Sequence, residues 1–87
     1  MNQEQKILGE RLKSFRTAIG LSRRHVEENY GFAERSVQNW EIGSKSISAI
    51  TLAKYIKIFE PHGIKISLDR LLDFEKKISI NQVIEIA

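Results

Sequence analysis

The sequence predicts an all-α domain of five helices, followed by a tail of a different kind. Three observations carry that prediction. Apolar residues recur at three- and four-residue spacing from Leu8 to Leu72, as a core-facing helix stripe requires. Glycines at 20, 31 and 43 fall where those stripes end, the place for a residue that takes positive φ without a Cβ clash. Serines at 22, 48 and 67 fall just before stripes begin, where a side-chain oxygen can accept from the free amides of a first turn.

The first helix is expected from about Gln3 to Ile19, with Leu8, Leu12, Phe15 and Ile19 on the stripe. Gly9 within it costs about 1 kcal/mol of propensity against alanine and lets another backbone approach. The second helix follows Ser22 and places Leu21, Val26 and Tyr30 on one face. Gly31 supplies a tight corner. In the third helix, over 34–42, Ala33, Val37 and Trp40 recur at helical spacing, with Glu34, Arg35, Gln38 and Asn39 on the opposite side. Trp40 and Tyr55 invite a base-stacking reading; Trp40, however, shares the inward face with Val37 and is assigned to the core. Ser44-Lys45-Ser46 is a polar loop after Gly43. Ser48 caps a fourth helix of about Ala49 to Phe59, with Leu52, Ile56 and Phe59 inward. Pro61 and Gly63 then break the chain, with His62 between them. Ser67 caps a fifth helix, Leu68 to about Phe74, with Leu68, Leu71 and Leu72 inward. Residues 1–74 therefore form one domain, and 75–87 a tail.

In the tail, Ile78, Ile80, Ile84 and Ile86 alternate with Ser79, Asn81, Val83 and Glu85, broken only by Gln82. Period two with β-branched residues predicts a strand. A lone strand cannot satisfy its own backbone, so it calls for a partner, and the same strand of a second copy would give an isologous homodimer. The same residues also fit a frayed tail, or a helix begun at Ser79 with its apolar residues on the bundle.

With 87 residues, 41% of them hydrophobic, the chain can build one small core. Lys and Arg number 14 against 11 Asp and Glu, and the resulting charge of +3 permits nucleic acid as a partner without demanding it. There is no cysteine, which excludes disulfides and thiolate metal sites. No apolar run approaches the roughly 20 residues of a membrane span, and the mixed-charge N-terminus is unlike a secretory signal. A small cytoplasmic protein is expected. His25 and His62 are isolated, Glu27 and Glu28 have no nucleophile or base beside them, and there is no glycine-rich phosphate loop. Neither catalysis, nor a metal, nor a cofactor is expected.

The outward face of the third helix has a definite chemistry. The fork of Arg35 matches O6 and N7 of guanine, and Gln38 and Asn39 can each pair bidentately with adenine or reach a phosphate. Glu34 suits the positive end of the helix dipole and can accept from a cytosine amino group. Such a front on an apolar back meets the requirement for reading base edges in a major groove. Beside it, Ser36, Ser44, Lys45 and Ser46 are candidates for the phosphate backbone, as is Arg24 less directly.

At these residues the chain resembles the helix-turn-helix family of phage Cro and repressor proteins, the Xre-type regulators. The resemblance covers roughly Leu8 to Leu72 and rests on Leu21-Ser22, Val26, Gly31, Val37 and the run Trp40-Glu41-Ile42-Gly43. It implies a lambda-repressor-like fold with the third helix as the reading helix. Arg16 matches a family position whose arginine pairs with the glutamate corresponding to Glu41, so the resemblance implies a structural ion pair between them. Arg23 matches a position that holds the phosphate backbone. The chain also departs from the family. Glu27 replaces a small residue, usually alanine, which argues against close packing of the second and third helices. Ala33 replaces the usual Ser or Thr cap, which should weaken the start of the third helix by about 1 kcal/mol. Ile47 replaces a common proline, and the segment 60–65 is longer than the usual loop.

The expected function is sequence-specific binding of double-stranded DNA by a dimeric transcriptional regulator, a repressor before an activator, on a pseudo-palindromic operator. The alternative is a protein-interaction module, such as an antitoxin whose tail strand adds to the sheet of a partner protein. The modest net charge and Glu34 on the reading face favour that alternative.

Overall fold

The computed structural model describes residues 2–75 and 84–85. The described chain is mostly helical, as the spacing predicts: α1 Gln3–Ala18, α2 Arg23–Tyr30, α3 Glu34–Ile42, α4 Ala49–Ile56 and the single turn α5 Leu68–Leu71. None of these helices is long and apolar enough to cross a membrane.

The serine caps fall where the sequence places them, and the first helix adds one that the sequence reading did not name. Asn2 opens α1 with a capping box, its side chain accepting from Gln5 N–H. The Ser22, Ser48 and Ser67 hydroxyls accept from the amides of His25, Thr51 and Arg70. Gly20, Gly31 and Gly43 all stand at positive φ behind their helices. Only α3 starts without a local cap, since Ala33 offers no acceptor.

Leu12, Phe15, Val26, Val37, Tyr55, Phe59 and Leu71 are fully enclosed and form the centre of one core. Tyr55 stands edge-on to Phe32, Trp40 and Phe59, with ring centroids 5.1–5.7 Å apart. Trp40 packs against this cluster, so its core assignment stands, and the enclosed Tyr55 ring offers no face for the base stacking its type invites. Behind α3, Gly9 permits a close approach of α1 to the end of the helix. A Cβ there would fall about 2.5 Å from the Glu41 carbonyl oxygen and still nearer that of Trp40. Gly43 answers it from the α3 side, with the backbone of Lys6 against its Cα face.

Four expectations are corrected. First, α4 stops at Ile56, and a 3-10 segment, Lys57–His62, continues the chain. Pro61 explains the change, because in a continuing α-helix its ring would clash with the carbonyl four residues back, at Lys57. Second, α5 ends at Leu71 rather than near Phe74. The Arg11 guanidinium donates to the carbonyls of Leu71 and Asp73 at 2.8 and 2.7 Å, and Asp73 accepts from Glu75 N–H, so the chain turns away. In so short a helix only Leu71 faces down, and Leu68 and Leu72 are exposed. Third, Ala33 is exposed rather than inward, because it stands before the helix as its N-cap residue. Fourth, Glu27 does not loosen the packing of α2 on α3: Val26 and Val37 between them are wholly buried.

The long segment after α4 also forms a strand the sequence did not announce, β1 at Lys65–Ile66. It pairs antiparallel with β2, Ile84–Glu85, placing Lys65 opposite Glu85 and Ile66 opposite Ile84. Strand character in the tail is thus present at Ile84 and Glu85, with a partner in the same chain. The other residues of the expected strand, Ile78, Ser79, Ile80, Asn81, Gln82, Val83 and Ile86, lie outside the described residues.

Candidate nucleic-acid interface

The interface is built on how α3 is held from behind. Glu41, on its inner face, has a completely buried carboxylate gripped by two arginines. Arg16 donates from Nε to Oε2 at 2.6 Å and from Nη2 to Oε1 at 2.9 Å, a bidentate pair, and its Nη1 donates to the Leu21 carbonyl at 2.7 Å. Hydrogen bonding to Glu41 pushes the Arg16 guanidinium above its ordinary pKa, against the opposing effect of burial. The ion pair implied by resemblance is therefore present. Arg23 joins it, with Nε and Nη2 both 3.0 Å from Glu41 Oε1. The three side chains tie α1, the start of α2 and the end of α3 to one point.

Arg23 thus differs from the free phosphate contact expected of it. Two of its three nitrogens are committed to Glu41, and its side chain is about a quarter exposed. Nη1 lies outside that pairing, so any contact with a phosphate would come from an arginine already fixed in orientation.

On the outer face of α3, Glu34, Arg35 and Gln38 are exposed together and Asn39 is half-buried. The Ser44 hydroxyl approaches the Asn39 carbonyl and Oδ1 at 3.3 Å each, and the Ser44 amide donates to the same carbonyl at 3.0 Å. That draws the polar loop onto the last turn of the helix and orients the Asn39 amide. Lys45 is exposed beside it. Ser46 accepts from Gln5 Nε2 at 2.6 Å, which ties the loop to α1 and leaves its hydroxyl proton to give. Ser36 is half-buried, one turn before Asn39. Arg24 pairs with Glu28 across one turn of α2 at 2.9 Å, fully in solvent. That pair is worth about 0.3–0.5 kcal/mol and does not hold Arg24 back.

Two residues of the site escaped the sequence reading. Ile42 is half exposed and shares the outward face with Arg35, seven positions earlier. The i, i+7 spacing was there to find, and an apolar side chain in this place suits a thymine methyl group. The other is Glu27, whose carboxylate reaches across the corner and accepts from the Glu34 amide, the first of α3.

No family model matches the chain, and neither the curated proteins nor the solved structures yield a match.

Proposed function

We propose that this chain binds double-stranded DNA in a sequence-specific manner through α3, as a dimeric regulator of transcription with a lambda-repressor-like fold. One observation carries the reading. The helix bearing Arg35, Gln38 and Asn39 outward is anchored on its inner face by a buried carboxylate between two arginines, while nothing among the described residues covers its front. Rigid presentation of side chains with paired donors and acceptors is what base readout needs. Lys45, Ser44, Ser46 and Arg23 flank that face, where phosphates would run.

A dimer would place two such helices about one turn of duplex apart, 34–36 Å, on a pseudo-palindrome. A strand in a two-stranded sheet has one unpaired edge, and β2 can offer that edge to a second copy. Occlusion of polymerase then makes repression the simplest outcome.

Selection of bound sites from a random duplex pool, with competition by non-specific DNA near physiological salt, tests the proposal. An inverted-repeat consensus is expected. Arg35→Ala should remove preference at one base pair of each half-site, at about 1–3 kcal/mol per contact. No enrichment would overturn the DNA reading and favour a partner protein at the tail instead.

A further inference from the structure

We propose that Glu27 is a positioning residue for α3, standing in from the neighbouring helix for the cap that Ala33 cannot supply. The inference rests on the DNA-binding reading only for its functional consequence. Its structural half stands on its own geometry.

The other helices of eight residues or more, α1, α2 and α4, each start from a residue whose own side chain accepts from an amide of the first turn. In α3 that residue is Ala33, which has no acceptor. The exposed end would leave its first amides to solvent, next to the face that carries Glu34 and Arg35. Glu27, seven positions back on α2, directs Oε2 at the Glu34 amide instead. A carboxylate at a helix start both satisfies an orphan donor and complements the positive end of the dipole. A serine at 33 could cap α3 only from within its own chain segment. Glu27 caps it from another helix, so the same bond also sets the angle at the Gly31 corner. The two unusual residues, a long acid where α2 meets α3 and an alanine before α3, form one device.

Amide exchange at 34–36 and duplex affinity, measured side by side, test this. Glu27→Ala should speed exchange at Glu34 about tenfold and weaken binding to the selected site by a similar factor. Glu27→Gln keeps an acceptor oxygen and should stay much closer to the parent in both. The deciding variant is the double substitution Glu27→Ala with Ala33→Ser. A serine there would accept from the third amide, Ser36, as Ser22, Ser48 and Ser67 accept from His25, Thr51 and Arg70. Protection should therefore return at 36 but not at Glu34, and affinity to the extent that fraying caused the loss. Unchanged exchange at Glu34 in Glu27→Ala would overturn the proposal, and so would a double variant no better protected at 36 than the single one. If the parent chain selects no DNA site, the DNA reading fails while the exchange measurements still decide the role of Glu27.

Discussion

Tyr55 shows how a single side chain can be kept for its shape against its chemistry. Its ring touches three other aromatics at the centre of the core, yet its hydroxyl, fully enclosed, has no hydrogen-bond partner among the described residues. Burial pushes the phenol pKa well above its usual value, and the nearby Glu41 carboxylate adds to the rise. The folded state therefore resists ionisation that the unfolded chain undergoes near pH 10. The contribution to stability is intact below about pH 10 and declines as pH rises beyond it. Tyr55→Phe is expected to be neutral or stabilising by about 1 kcal/mol at pH 7, and to lose less stability between pH 9 and 11 than the parent. Denaturant melts at the two pH values check both points, and an equal alkaline loss in the two proteins would refute the assignment. Tyr55 itself was not on the stripe read from the sequence. Leu52, Ile56 and Phe59 were, and the departure from α geometry after Ile56 helps to explain why Ile58 is buried while Ile56 is only partly so.

Among the elements, starts were easier to read than ends. A start is declared by one residue, as at Ser22, Ser48 and Ser67, whose bond is local. The end of α4 is also local once Pro61 is referred back to Lys57. The end of α5 is not, for it depends on Arg11, about sixty positions away, donating to its last carbonyls. The outward face of α3 was legible because periodicity assigns faces. The commitment of Arg23 to Glu41 was not, because no local pattern reports a bond across eighteen positions. Glu41 is where the elements depend most on one side chain. Glu41→Ala leaves two arginines facing each other across a buried gap, one of them almost wholly enclosed, and should cost about 3–5 kcal/mol. Thermal unfolding by circular dichroism should show the loss. A normally folded variant with altered site preference would contradict the structural role given to this residue.

The molecule as a whole has a net charge of only +3, too little for affinity to rest on charge alone. Under the proposed function, the phosphate grip is confined to a few positions beside α3, and each should be countable. Lys45→Ala is expected to weaken binding to all sequences alike, leave the selected consensus unchanged, and flatten the dependence of log affinity on log salt by about 0.9. A salt titration of both proteins on the same duplex measures this, and an unaltered slope would remove Lys45 from the interface. Exposed Glu27, Glu28 and Glu34 close to the same face work against non-specific attraction. In the proposed complex they would shift the burden of recognition toward hydrogen bonding with bases.

The contact between Gly9 and the end of α3 has a consequence for how such a protein can change over generations. Where α1 meets the carbonyls of Trp40 and Glu41 there is no side chain on the α1 side to exchange, and where Gly43 meets the Lys6 backbone there is none on the α3 side. That part of the helix's seat is written in backbone, and the rest lies in Arg16, Arg23 and Glu41 behind it, none of them on its front. Residues 34, 35, 38, 39 and 42 are then free to drift together or singly while the scaffold stays put. Under the proposed function, a lineage built this way would acquire new targets by rewriting five letters, with little need for compensating change elsewhere.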